Sequence, residues 1–584
     1  MLFQLLTVPE VSKSTIFETA ILVATVKSSM PSDMSRSSVL LTLEKVMNLE
    51  ANFLQQLRHL DSVCQEIQLY YHEHDYCAEK PGNGFRSIVR ITEIYFHKLY
   101  EEHENGNFDL YPNLLQDYIT IADTLALSLS FAQLLRTKGP DFDPCVQTDV
   151  DLEFFARLSK TPVELSAPVA GPVGPFYYKG TPGLMIHWAI YFLHLLKLPF
   201  YESLRMLFDS KFGAKKMAET AAKTPLSIMK GLIPGPILSR VIKTFNRLWS
   251  FFHCVNVTEF SIPRRTNPWT IRVPDWREPA VIEKATVREG SIKCMFVKPF
   301  SCDNKTKSIV VHVHGGGFIT NVPDGYVLSS GLLAQRTGMP FILPNYRKAP
   351  EHKFPAGLQD IFDFYAFLTS GDLEVDQLIG FQPEHVYLSG DSAGANLVIA
   401  MTFALNRIRK EANVPVRLPR GIMVQCPGVT PTFMAIPSYS FTLLDIVLAR
   451  GPMALSGLLY AEIEPKIMDE SVIKNFEDFL PIIKKFAYKL KDPLFNLMAF
   501  RDWDDLKDIP LTITASEMDP SLDNGIMLAK VWGGKVLFDI AKGMPHGYSA
   551  FLPDSSIRQE IEMYHRQIAV AVGVESAISE SARS

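Results

Sequence analysis

The stretch YLSGDSAGANL, residues 387–397, decides how the second half of this 584-residue chain is read. An apolar run of strand type meets Gly390-Asp391-Ser392-Ala393-Gly394, and a helical pattern starts at once. A turn this tight admits only small residues two places before and two places after its serine, and it thrusts the serine Oγ clear of the backbone. The amide of Ala393 then opens a helix N-terminus beside that oxygen, where the dipole favours an anion.

Working outward, VHVHGGGFIT (311–320) ends a second apolar run in His314, Gly315, Gly316 and Gly317. Glycine there packs nothing and costs conformational entropy, so the backbone must need to be bare. No GKS or GKT follows and no GxGxxG opens a helix, which excludes phosphate and dinucleotide loops. Amide donors aimed at a developing negative charge remain, with Gly315, Gly316, Gly317 and Ala393 as the expected oxyanion hole. A GxSxG alone arises by chance; about 75 residues after a glycine triplet at another strand end, it is a strong signal.

A serine hydroxyl needs a base. Of fourteen histidines, only His546 and His565 follow Ser392. His565 lies in an amphipathic helical run and reads as a surface residue, whereas His546 sits in the Pro/Gly-flanked loop KGMPHGY directly after a strand. The acid should end the preceding strand, and PLTITASEMDPSLDN (510–524) offers Asp519, with Asp523 as the alternative. Asp391 is read as a brace for the elbow, because its side chain points away from that of Ser392.

Around these motifs, apolar runs at 308–314, 340–346, 385–390, 421–429, 510–518 and 535–543 read as strands. Helical runs at 355–370, 395–410 and 557–572 alternate with them. This alternation predicts an α/β fold with a mostly parallel sheet covered on both faces. Residues 1–260 read mostly as helix, as in NLLQDYITIADTLALSLSFAQLLRT (113–137). A proline-studded passage at 262–279 marks the seam, giving a helical N-terminal domain over 1–275, for docking or capping, and a catalytic domain over 276–584.

Composition sets the limits. Apolar residues make up 47% and charged residues 21%, with a net charge of −5, so the chain is globular and nucleic acid is not an expected partner. Seven scattered cysteines without a CxxC suit reduced thiols. The N-terminal residues lack a signal-peptide pattern, and the greasy stretch 184–201 is broken by His187, His194, Lys197 and Pro199, so no transmembrane segment is expected. No metal and no cofactor are expected either.

HGGGF, NYRKAPEHKFPA (345–356), GDSAGANL, ASEMDPSLD and MPHGY together resemble the motif set of the hormone-sensitive lipase family of α/β-hydrolases, in order and spacing. NGFRSIV (83–89) is similar to the N-terminal domain of its animal members. The resemblance implies an α/β-hydrolase fold with Ser392, Asp519 and His546 as triad. It implies a lipase acting on acylglycerols and on sterol or retinyl esters, in the cytoplasm with reversible association with lipid droplets; a homodimer is a separate expectation. Other readings are a carboxylesterase for small soluble esters and a lipid-binding hydrolase scaffold without activity. Asn345 and Asn524 stand where the family usually has aspartate, and the 127 residues from Ser392 to Asp519 leave little room for the phosphorylated module of mammalian members. Within that interval, 432–500 reads as a lid or a reduced regulatory insertion; His352, ahead of the nucleophile in a polar turn, reads as structural.

Overall fold

The computed structural model describes residues 253–264, 290–302, 307–349, 351–411, 416–429, 492–541, 544–550 and 558–574, with isolated positions between 438 and 489. The helical N-terminal half, the stretch 184–201 and most of 432–500 lie outside the described residues.

Eight strands form one sheet: β1 (Val255–Pro263), β2 (Ser291–Pro299), β3 (Ser308–Val313), β4 (Phe341–Pro344), β5 (His385–Asp391), β6 (Gly421–Gln425), β7 (Leu511–Ser516) and β8 (Val536–Ala541). Their spatial order is β1-β2-β4-β3-β5-β6-β7-β8. The β1–β2 and β2–β4 pairs are antiparallel, and every pair from β4–β3 to β7–β8 is parallel. Every residue of β3, β4, β6 and β7 is buried, as strands covered on both faces require.

The cover comes from α1 (Val327–Thr337), α2 (Ala356–Leu368), α3 (Leu373–Ile379), α4 (Ala393–Glu411), α5 (Leu522–Val531) and α6 (Arg558–Ala571). Helices α1 and α6 pack on each other and share a core with Val297, Val310, Tyr387 and Met423 of the sheet. Helix α4 lies along β5, β3 and β6 with α2 against it, and its last turn carries Arg409 and Lys410, where cations oppose the dipole. Gly338 ends α1 at φ +67°, a left-handed cap that only glycine adopts without strain.

One boundary moves. The sequence places 255–263 in the N-terminal domain, yet β1 pairs with β2 along its whole length, from Val255–Pro299 to Pro263–Ser291. As an edge strand with a half-exposed pattern, β1 carries no continuous apolar run and tolerates a proline at its end.

The antiparallel edge is pinned by a buried charge cluster. Asp360 of α2, fully buried, accepts from Arg347 N and Nε and, at 2.8 Å, from Nε of Arg264 just past β1. A carboxylate out of water holds its charge only when its lone pairs are taken by cations or donors, and here they are. Replacing Asp360 by asparagine should therefore lower unfolding free energy by about 3–5 kcal/mol, read as a fall in the urea midpoint at constant slope.

Candidate active site

The elbow follows from two missing side chains. A Cβ on Gly390 would lie 2.6 Å from the carbonyl carbon of Gly394, and one on Gly394 would lie 1.9 Å from the Val313 carbonyl oxygen at the end of β3. Between them Ser392 sits at φ +53°, a strained setting for a residue with a side chain. It is held by its N–H to Gln425 O at 2.9 Å and by Gly428 N–H to its own carbonyl at 3.3 Å. Its neighbours are buried, whereas Ser392 itself is partly open.

The glycine loop leaves β3 directly over this turn. A Cβ on Gly315 would meet Asp391 Oδ2 at 2.4 Å and Ser392 Cβ at 3.0 Å, so only glycine fits there. Gly316 and Gly317 hold φ values of +113° and +60°, and Gly316 O accepts from both Ile319 N and Thr320 N. Among the described residues, the amides of Gly316, Gly317 and Ala393 meet no acceptor. Gly315 differs: its N–H donates to Asp391 Oδ1 at 3.0 Å, which removes it from the oxyanion donors that the sequence grouped it with.

Asp391 is thus the brace between elbow and loop. Its other oxygen accepts from Tyr326 Oη at 2.9 Å, and His312 Nε2 lies 3.6 Å away. Burial pushes its pKa up to about 6, against the pull of the Tyr326 and Gly315 hydrogen bonds. His314 is structural in its contacts: its ring stacks on Tyr346 at 4.5 Å, its Nδ1 pairs with Gly315 O, and Tyr346 Oη donates to its carbonyl. Burial and the Lys348 charge hold it well below the ordinary histidine range.

At the ends of β7 and β8, Asp519 and His546 meet. Asp519 Oδ2 faces His546 Nδ1 at 2.9 Å, and Oδ1 accepts from Ser521 N at 2.7 Å and Ser521 Oγ at 2.8 Å. The two loops are zipped by Glu517 N to Ala541 O and Met518 N to Met544 O. Both side chains are buried, and burial opposes charge on each. Their mutual attraction prevails, so Asp519 is held below the ordinary carboxylate range and His546 well above the ordinary imidazole range. Asp523, the alternative acid, instead accepts from Ser438 N at 2.8 Å.

Beyond the seat of Ser392 on Gln425, Ser549 Oγ, three residues past His546, donates to the Gln425 side chain. A buried thiol also enters the site, one the sequence does not single out. Cys426, at φ +45°, directly follows β6 with Sγ 3.2 Å from Ser516 Oγ, and its sulfur lies within 4.8 Å of ligand atoms of Asp519 and His546. Burial, then the Asp519 charge, push its pKa up to about 11, so it stays a neutral thiol.

Residues 310–550 match the family model of the alpha/beta hydrolase fold, and the described domain, with its mostly parallel sheet, has that fold. Residues 21–105 match the model of the hormone-sensitive lipase N-terminus. Hormone-sensitive lipase of Mus musculus is 33% identical over 158 residues, a segment covering 26% of this chain and 20% of that protein. Arylacetamide deacetylase of Oryctolagus cuniculus is 31% identical over 166 residues, covering 28% of this chain and 40% of that protein. The chain therefore matches about a fifth of the mouse lipase's length. Among solved structures, carboxyl esterase 2 of Tuber melanosporum superposes with a TM-score of 0.41 at 16% identity, over 55% of this chain and 86% of that one.

The Asp391 brace makes a pH prediction. A carboxyl raised to about 6 in the fold, against about 4 when unfolded, binds its proton more readily folded, so stability falls as pH rises through that window. Tyr326→Phe removes a donor to the carboxylate and raises the folded pKa further. The decline should run to higher pH and leave the variant about 1–3 kcal/mol less stable than the parent at pH 8, with the gap closing towards pH 4, in urea titrations across that range.

Proposed function

We propose that this chain is a serine-dependent carboxylic ester hydrolase of lipase type. The observation that carries the reading is the buried His546–Asp519 pair, set at the same strand ends as a strained, partly open Ser392 and three unengaged amides. In the proposed reaction His546 takes the Ser392 proton as Oγ attacks the ester carbonyl. In this reading the tetrahedral oxyanion is received by the amides of Gly316, Gly317 and Ala393. His546 then returns the proton to the departing alkoxide. Water repeats the sequence on the acyl-enzyme, with Asp519 holding the imidazole tautomer throughout.

For substrate, we take the esters of neutral lipids: diacylglycerol, triacylglycerol, monoacylglycerol, and cholesteryl and retinyl esters. Support comes from the hormone-sensitive lipase N-terminus at 21–105 and the similarity to the mouse lipase. The place of action is proposed as the cytoplasm with reversible docking on lipid droplets, which would make the enzyme part of lipid breakdown. No helix among the described residues is long and apolar enough to cross a membrane. The similarity to arylacetamide deacetylase favours a second reading, a carboxylesterase for small esters. Hydrolysis of emulsified diacylglycerol at a rate comparable to short p-nitrophenyl esters supports the lipase; turnover of the short esters alone would assign the second reading.

Two variants test the chemistry. Ser392→Ala should lose about 10⁴-fold or more in kcat and all labelling by a fluorophosphonate probe, and an unchanged rate would remove Ser392 from the reaction. His546 works as a base only when neutral, so kcat in the parent rises with pH through its elevated pKa. Asp519→Asn deletes the carboxylate that raises that pKa and leaves burial, which lowers it. The variant's kcat should be about 10³–10⁴-fold lower, with the midpoint of its pH profile moved to more acid pH.

A further inference from the structure

The loop that carries the unengaged amides is not self-supporting. Gly316, Gly317 and Phe318 hold three consecutive positive φ values, at +113°, +60° and +64°, and Phe318 has a side chain that disfavours that region. Such a backbone persists only where its surroundings over-determine it. On one side Phe318 O accepts from Ala349 N at 3.0 Å. On the other stand residues of the 432–500 insertion.

Each of three consecutive loop residues is met by that insertion. Ser456 Cβ lies 2.8 Å from where a Gly317 Cβ would be, so the Ser456 side chain packs directly on the bare loop backbone. The Tyr460 ring lies face to face with Phe318, with centroids 3.8 Å apart and planes 6° apart. Leu459 closes a small apolar cluster with Ala349 and Ile319. Tyr460 is in turn fixed from behind. Phe354 meets its ring edge-on at 5.5 Å, Phe495 lies nearly parallel to it at 5.7 Å, and its carbonyl accepts from Phe354 N at 3.0 Å. The Tyr460 hydroxyl is buried and has no hydrogen-bond partner among the described residues. The ring, not the hydroxyl, therefore makes the connection.

We propose that Tyr460 is a positioning residue of the oxyanion hole: its stack on Phe318 holds Gly316 and Gly317 with their amides turned outward. Ser456, Leu459 and Tyr460, helical residues of the insertion, thus form a buttress of the site. This rests on the ester-hydrolase reading. A buttress acts on the transition state, whose oxyanion needs the amides, and hardly on the ground-state ester.

The test uses the full chain with p-nitrophenyl butyrate as substrate and a trifluoromethyl ketone, which forms a tetrahedral adduct, as inhibitor. Tyr460→Leu should lower kcat by about 10–100-fold with KM within about threefold, and should weaken the ketone by the same factor as kcat/KM. Tyr460→Phe, which keeps the ring, should restore kcat to within about twofold of the parent. Phe318→Leu attacks the same stack from the loop, and the double variant should lose no more than the worse single one; it serves if Tyr460→Leu does not fold. A Tyr460→Leu enzyme with parental kcat, a loss confined to KM, or a Tyr460→Phe enzyme as slow as Tyr460→Leu would each overturn the proposal. A flat Tyr460 series beside a dead Ser392→Ala sinks the buttress and keeps the hydrolase; a wild type with no turnover and no adduct on Ser392 sinks both.

Discussion

The site rests on one backbone contact: the start of α4 crosses the end of β3 so closely that Gly394 leaves no room for a methyl group against the Val313 carbonyl. That crossing fixes where the chain must turn after β5, and the turn forces Ser392 to a positive φ. It also fixes the path of the loop leaving β3, which passes over Ser392 at a distance only Gly315 permits. Nucleophile and amide donors are therefore placed by the same constraint. Asp391 fills the wedge between them, and its burial is made tolerable by two donors, Gly315 N and Tyr326 Oη.

The proposed base and acid are positioned by a different means. Asp519 and His546 sit on loops zipped together by two backbone hydrogen bonds beyond β7 and β8, so their separation is inherited from the sheet. Burying both charges costs several kcal/mol per ion unless lone pairs and protons are satisfied. Ser521 gives Asp519 two hydrogen bonds and the imidazole gives a third, which makes the pair tenable. The neutral Cys426 thiol beside them adds contact without adding charge, since burial and the nearby carboxylate keep it protonated.

Much of this was readable in the sequence because the constraints are local. The elbow and the glycine loop are short segments in which every position is restricted, and the central strands, buried on both faces, read as unbroken apolar runs. What escaped depends on distant partners. Strand β1 carries a half-exposed edge pattern on the far side of a proline-rich passage, so nothing near it in sequence announces the sheet. Helix α5 begins inside the motif that supplies Asp519 and is hidden by it. Gly315 looks the same as Gly316 and Gly317 until Asp391 is seen to take its amide, and a lone cysteine or tyrosine has no spacing to betray it. For Tyr460, the partner that gives it meaning lies 142 positions away.

The two halves of the site thus differ in their support. The base and acid follow the last two parallel strands of the sheet, β7 and the edge strand β8, and a shift in one would have to break the backbone bonds between their loops. The amide donors are carried by a strained loop whose outer face is held by aromatic packing from the insertion rather than by hydrogen bonds of the sheet. Dispersion contacts between rings are individually weak and yield to small displacements, whereas the strain they restrain is stored in the backbone itself. In the proposed reaction, proton transfer is then the rigid component and oxyanion stabilisation the adjustable one. The rings of Phe354 and Phe495 behind Tyr460 then extend that adjustable support away from the loop, so the donors depend on the packing of several aromatic side chains at once.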